Sequence, residues 1–161
     1  MQTVKQTLKL LQIPYKDLLI RIRSSIPPGK GLGSSASVAI AIVKSLFKYS
    51  NQQYTKELLL QLANISETFA HGAPSGIDPL TITSNNPIWY KKDEPIDYIY
   101  PKGTFHFVIA DSGQMADTKT AVETVTAMMK EAPQKVCEKM ERLGEITYEA
   151  RKALEKSSKQ L

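Results

Sequence analysis

A glycine-rich stretch, residues 27–36 with the sequence PPGKGLGSSA, constrains this chain more than any other feature. Gly29, Gly31 and Gly33 alternate within it, and glycine is the residue that adopts positive φ and lets a ligand approach the backbone closely. An alternating apolar segment, residues 17–25, precedes the stretch, and a long apolar segment follows it. The pattern predicts a strand, a loop and then a helix whose first N–H groups and positive dipole end lie at the loop. Such a helix start is suited to binding an anion.

The spacing of the glycines excludes three better-known loops. A Walker A loop needs a lysine after its last glycine, but Ser34 follows Gly33. The dinucleotide fingerprint, counted from Gly29, would place its third glycine at Ser34, and no acidic residue near position 50 could bind a ribose. The Gly-x-Ser-x-Gly turn of hydrolases does not occur in this stretch. A plain turn between strand and helix remains the alternative to a phosphate site.

Composition narrows the class of protein. The 161 residues, 42% of them hydrophobic, suffice for one sizeable core or for parts of two domains. The net charge is +5, but the lysines are scattered, which favours small anions over nucleic acid as partners. Cys137 is the single cysteine, so an internal disulfide is excluded. The absence of a signal-peptide core and of an 18-residue apolar run predicts a cytoplasmic protein without a membrane partner.

Hydrophobic spacing predicts helices over three N-terminal segments, residues 3–12, 34–49 and 55–70. The second is apolar on nearly all sides and is therefore expected to be buried. Thr55 is the expected N-cap of the third helix.

Glu67 is unusual within that third helix. At 100° per residue it lies in line with Leu60 and Ala63, opposite the apolar stripe that includes Leu58, so its face is not an ordinary charged one. It also lies in the last turn, where the helix dipole disfavours a carboxylate by roughly 0.3–1 kcal/mol. A nearby cation would explain this placement, and a solvated surface glutamate is the alternative.

The next segment, residues 71–79, reads HGAPSGIDP and predicts a loop that leads into a short strand over residues 80–83. Pro79 is expected to hold Asp78 in an extended conformation at the edge of the loop. His71 is interpreted as a hydrogen-bonded residue at the helix end rather than as a base.

Beyond this loop the pattern predicts a return strand over residues 88–90 and an inter-domain linker over 91–103. A strand over 105–110 and helices over 116–130 and 133–156 follow, the first of these helices capped near Asp117.

Taken together, the stretches 27–36 and 71–78 closely resemble the mevalonate kinase branch of the GHMP kinase superfamily. The first stretch is typical of the whole superfamily and the second of that branch, while residues 110–119 resemble the opening of the family's second domain. The resemblance implies an α+β GHMP kinase fold. Residues 1–100 would form an incomplete two-layer N-terminal domain that binds ATP, and residues 101–161 the start of an α+β C-terminal domain.

The resemblance also implies a reaction, the transfer of phosphate from ATP to the C5 hydroxyl of mevalonate. Asp78 would be the catalytic base, Ser35 and Glu67 would bind Mg²⁺, and Thr118 is a further candidate near the substrate. The residues implied to bind the ATP phosphates are Pro28, Gly29, Lys30, Gly31, Leu32, Gly33, Ser34 and Ser35.

The chain departs from the family pattern in two places, because it lacks the family's N-terminal lysine motif and its C-terminal glycine-rich motif. Lys30 lies inside the nucleotide loop and does not replace that lysine. We therefore expect the chain to be an internal fragment that is inactive in isolation. For the full-length parent protein, a homodimer is one possible assembly. Another small-molecule kinase of the superfamily, or a non-catalytic nucleotide-binding fragment that needs a partner chain, remain alternatives.

Overall fold

The computed structural model divides into two compact units, residues 1–84 and 85–161. It describes residues 2–16, 18–71, 75–111, 113 and 118–156, and the side chains of residues 66, 67, 69–71, 118 and 119 lie outside this description. Within the described part, no helix is long and apolar enough to span a membrane.

The first unit is built on helices. In chain order they are α1 (Gln2–Leu10), α2 (Ser34–Tyr49), α3 (Lys56–His71) and the short α4 (Ile77–Ile82). The first three pack against one another around a shared apolar core. Its buried side chains are Leu8, Leu11, Ala39, Ile40, Ile42, Val43, Leu46, Phe47, Leu59, Leu62 and Ala63.

The predictions for α2 and α3 are confirmed, since both helices begin and end within two residues of the expected bounds. The hydroxyl of Thr55 accepts a hydrogen bond of 3.2 Å from the backbone N–H of Leu58, as expected of an N-cap. Hydrogen bonds that the Glu57 carboxylate accepts from its own backbone N–H and from the Thr55 hydroxyl lower the pKa of Glu57, which lies in the same first turn. The start of α3 is thus held by both a cap and a favourably placed charge.

The prediction of a strand before the glycine-rich loop is wrong, because residues 18–25 form no hydrogen-bonded strand pair. Their alternating pattern is real, but no neighbouring strand within the described residues pairs with them. This extended segment instead borders an apolar groove of about 570 Å³ over α2, and Leu19 remains 81% exposed. Alternation predicts which side chains share a face, whereas a strand also needs a partner.

The strand predicted over residues 80–83 is also wrong, because α4 occupies this position and includes Asp78 and Pro79 in its first turn. Proline is tolerated there, since the N–H groups of a first helical turn have no intrahelical acceptor and a φ near −65° suits a helix. Asp78 is therefore helical rather than extended. The C-terminus of α4 is closed by hydroxyls, with Thr83 donating to the carbonyl of Pro79 and Ser84 to that of Leu80.

The second unit contains an antiparallel pair of short strands, β1 (Ile88–Trp89) and β2 (Asp97–Tyr98), followed by α5 (Thr118–Glu131) and α6 (Pro133–Glu155). The return strand is confirmed as β1. Part of the predicted linker, residues 91–103, instead forms β2 and the hairpin turn. Residues 105–110, predicted as a strand, have no regular structure for want of a pairing neighbour among the described residues.

A charged and aromatic cluster joins α6 to this hairpin. The Arg151 guanidinium donates to the Asp97 carboxylate at 2.5 Å and to Glu155 at 3.2 Å, and lies 5.0 Å from the centre of the Trp89 ring. The Arg151 hydrogen bond, assisted by the N–H of Tyr98, lowers the pKa of Asp97. The cluster therefore fixes the register of the hairpin against α6.

Candidate anion-binding site

The glycine-rich loop adopts the backbone conformation that its sequence predicts. Gly29, Gly31 and Gly33 have φ of 69°, 69° and 67°, all in the left-handed region that other residues rarely adopt. A Cβ at Gly31 would meet no protein atom within 4 Å, so the space beside this α carbon is open. Three left-handed residues at alternate positions give the backbone a shape that a ligand can approach closely.

Helix α2 begins at this loop without help from a capping side chain. Gly33 is its N-cap, and glycine has no side chain that could accept a hydrogen bond from the first turn. The first turn is otherwise regular, with the N–H of Ser37 donating to the carbonyl of Gly33 at 2.9 Å. A serine, threonine, aspartate or asparagine at the N-cap accepts a hydrogen bond from one of the first N–H groups through its side-chain oxygen. At α2 the position is held by glycine, which leaves the helix start open to an anion.

The eight residues that the resemblance implies to bind phosphates, 28–35, lie together at this helix start. Pro28, Leu32 and Ser35 are exposed, while Gly29, Lys30, Gly33 and Ser34 are half-buried and Gly31 is exposed. Since most of these side chains retain contact with solvent, a ligand could reach both the loop backbone and the first turn of α2.

Helix α4 packs beside the loop. A Cβ at Gly33 would lie 3.6 Å from the Cδ1 of Ile82, so the last residue of α4 lies against the glycine that starts α2. Asp78 lies in the first turn of the same helix and is exposed. The contact places α4 as a neighbour of the glycine-rich loop, and sequence reasoning missed it because it had predicted a strand over residues 80–83.

A second contact holds the start of α4. Gly76 is its N-cap, with φ of 74°, and a Cβ there would lie 3.7 Å from the Nδ2 and 3.9 Å from the Oδ1 of Asn64 on α3. The Oδ1 of Asn64 is buried and has no hydrogen-bond partner in the described part of the chain. Neither helical spacing nor a motif had singled out Asn64, and only the packing of α3 on this turn draws attention to it.

The remaining predicted site residues are located less completely. Glu67 and His71 belong to α3 and Thr118 opens α5, but their side chains lie outside the described part, as does Asp117 altogether. Among the described side chains, no group of three or more His, Cys, Asp or Glu residues could hold a metal ion. The Ser35 hydroxyl at the start of α2 is a hard oxygen donor of the kind Mg²⁺ accepts.

Comparison with known proteins gives the site a family context. The model of the GHMP kinases N terminal domain matches residues 2–85. The mevalonate kinase of Pyrococcus horikoshii is 31% identical over 137 residues, covering 84% of this chain and 40% of the relative. The mevalonate kinase of Pyrococcus furiosus is 30% identical over 132 residues, covering 82% and 39% respectively, and that of Schizosaccharomyces pombe is 30% identical over 139 residues, covering 76% and 34%. The chain thus spans about two fifths of the length of the archaeal relatives. No solved structure matches it significantly.

Proposed function

Because the chain belongs to the GHMP kinases, we propose that it provides the nucleotide side of an ATP-dependent kinase whose acceptor is the C5 hydroxyl of mevalonate. One observation carries the proposal: the left-handed glycine loop opens an uncapped helix, and α4, which bears Asp78, packs on the same loop. The names of the relatives support mevalonate as the acceptor. A different small-molecule alcohol would leave the nucleotide side unchanged.

The loop from Pro28 to Ser35 would hold the phosphates of ATP. Its backbone can approach them closely because Gly31 leaves the adjacent space open, and the first N–H groups of α2 have no side-chain cap that competes with a ligand. The positive end of the helix dipole adds attraction for the anion. Lys30, within the loop, adds a positive charge near the same backbone.

Magnesium is the metal that fits this donor chemistry. When bound, Mg²⁺–ATP supplies the phosphoryl group and neutralises part of its charge. Ser35 would provide a hydroxyl oxygen and Glu67 a carboxylate oxygen, and Mg²⁺ typically takes one or two protein oxygens while phosphates and water occupy its other positions.

Asp78 would act on the acceptor alcohol. An exposed carboxylate in the first turn of α4 can accept a hydrogen bond from a hydroxyl and orient its oxygen for attack. Phosphoryl transfer depends on such positioning and on charge neutralisation more than on covalent chemistry. A positioned carboxylate of this kind contributes roughly 10²–10⁴-fold to a rate.

The domain assignment, the location and the partners belong to the same proposal. Residues 1–100 would belong to the ATP-binding domain and 101–161 to the second domain of a cytoplasmic enzyme. Thr118 would lie near the substrate, and a homodimer would be the assembly of the longer parent. Since the chain spans about two fifths of the archaeal relatives, we expect the isolated 161 residues to turn over little or no mevalonate.

The test compares Asp78→Asn and Glu67→Gln with the unaltered protein, in the polypeptide as its gene encodes it. ADP release with mevalonate reports transfer, and calorimetric titration reports binding of Mg²⁺–ATP. Asp78→Asn should lower the transfer rate at least about 100-fold while nucleotide affinity stays within about threefold. Glu67→Gln should weaken binding in the presence of Mg²⁺ more than in its absence.

Asp93→Asn is the matched control, because Asp93 is an exposed aspartate in the hairpin turn of the second unit and asparagine tolerates its φ of 63°. It should leave both measurements unchanged. Full activity of Asp78→Asn would refute the assignment of the base. Nucleotide binding without transfer to any alcohol, in the complete polypeptide, would favour the alternative of a non-catalytic nucleotide-binding module.

A further inference from the structure

Asn64 has no role in the proposed reaction, yet its side chain lies against Gly76, the residue two positions before the proposed base. It lies on α3, and its backbone carbonyl accepts a hydrogen bond of 2.9 Å from the Thr68 hydroxyl. Its side-chain Oδ1 is buried without a partner among the described residues. A buried acceptor left unpaired is unfavourable, so its presence at this position calls for an explanation.

The side chain of Asn64 packs on a single feature of the turn before α4. Both amide heavy atoms lie within 3.9 Å of the point where a Cβ of Gly76 would be, on the face of the turn that glycine leaves bare. Gly76 is left-handed, and its carbonyl accepts the N–H of Leu80 at 3.4 Å, so its position sets the direction in which α4 begins. Asp78 follows two residues later.

Within the turn, the N–H of Ile77 donates to the Ser75 hydroxyl at 3.4 Å. The Oδ1 of Asn64, which has no partner among the described residues, therefore adjoins the glycine that directly precedes the first residue of α4. A leucine could fill this space without desolvating a polar group, but it could neither donate a hydrogen bond to the turn nor accept one from it.

We infer that Asn64 is a positioning residue of the kinase site. Its side-chain amide packs against the Gly76 turn, holds that turn in place and thereby fixes the direction of Asp78. This inference rests on the proposed function, because it assigns Asn64 a role only through Asp78. A misplacement of about 1 Å at a reacting group can cost about 100-fold in rate, so the loss of the packing between Asn64 and Gly76 should have a measurable effect.

The experiment measures kcat and KM for both substrates in the polypeptide as its gene encodes it. Asn64→Leu keeps the bulk and removes the amide, Asn64→Asp keeps an acceptor oxygen, and Gln61→Leu is the control for an apolar substitution on an exposed part of the same helix. Asn64→Leu should lower kcat about 10- to 100-fold, with the KM for ATP within about threefold, because the glycine-rich loop is untouched. Asn64→Asp should recover most of that loss, and Gln61→Leu should behave as the unaltered protein.

Two results would overturn the inference while leaving the proposed function intact: an unchanged kcat in Asn64→Leu alongside an inactive Asp78→Asn, or a loss in Asn64→Leu that raises both KM values and is not recovered by Asn64→Asp. An active Asp78→Asn would instead overturn the proposed function and the inference with it. Should Asn64→Leu fail to fold, Asn64→Ala and Asn64→Asp provide the same comparison, with the unfolding temperature measured for each.

Discussion

Replacing Gly31 by alanine tests whether the glycine-rich loop binds phosphate or only joins two elements. Gly31 has a φ of 69°, and the position of its missing Cβ has no protein atom within 4 Å. Steric clash within the protein therefore contributes nothing to the effect of the substitution. Two terms remain, the backbone strain of a left-handed alanine and the loss of the open space that a ligand would use.

The strain can be estimated from general values. A left-handed conformation costs an L-residue about 1–2 kcal/mol, and the reduced freedom of the unfolded chain returns about 0.4–1 kcal/mol. Gly31→Ala should therefore destabilise the first unit by at most about 1.6 kcal/mol. For a unit of residues 1–84, each kcal/mol corresponds to a shift of about 4–8 °C in the unfolding temperature. If the loop holds the ATP phosphates, the new methyl group should also raise the Kd for Mg²⁺–ATP at least about tenfold, equivalent to about 1.4 kcal/mol.

Gly113→Ala is the matched control, because Gly113 has a φ of 77° and likewise no atom within 4 Å of its missing Cβ, but belongs to the second unit. Calorimetric titration with Mg²⁺–ATP and thermal unfolding would be measured for both variants. Similar losses of stability with weaker nucleotide binding in Gly31→Ala alone would support the phosphate site. Equal nucleotide affinities in the two variants would refute it and leave the loop as a turn.

Four further substitutions test the packing and electrostatics of the two units by urea unfolding. Leu8→Ala should cost about 2–4 kcal/mol because this side chain is 2% exposed, whereas Leu10→Ala, at a site 51% exposed, should change stability by less than about 0.5 kcal/mol; comparable losses would contradict the described core. Thr55→Ala should cost about 1 kcal/mol because the first turn of α3 loses its cap, and an unchanged unfolding midpoint would show that the cap contributes nothing. Asp97→Asn should make the free energy of unfolding of the second unit depend less on pH in the acid range. The hydrogen bond from Arg151 lowers the pKa of Asp97, so the stabilisation by this carboxylate is present above the ordinary carboxyl range and is lost as pH falls through the lowered pKa. An acid profile that is the same in Asp97→Asn would contradict that pairing.

The helices and the loop were predictable because their signals are local. The periodicity over residues 34–49, the hydroxyl of Thr55 and the alternating glycines each act within a few residues, and the structure has α2, the α3 cap and the left-handed loop where these features predict them. The domain boundary near residue 100 stays a prediction.

Strands were predicted less well because they depend on partners distant in sequence. The pattern over residues 18–25 describes an amphipathic extended segment, but a ladder needs a second strand beside it. The error at residues 80–83 has a different cause. Pro79 was expected to keep Asp78 extended, although a proline in the first turn of a helix is well tolerated. The contacts Gly33–Ile82 and Asn64–Gly76 join segments far apart in sequence, so only the packed structure could reveal them.

The glycine at the N-cap of α2 has a thermodynamic consequence. A serine cap would stabilise the helix start whether or not a ligand is present, whereas an uncapped start leaves part of that stabilisation to the ligand. A nucleotide that binds there and is present at a free concentration of 100 times its Kd would raise the free energy of unfolding by about 2.7 kcal/mol. The folded population of the first unit would then increase with nucleotide concentration. If the loop binds nucleotide as proposed, the melting temperature of this unit would be a label-free measure of occupancy, even when no phosphate is transferred.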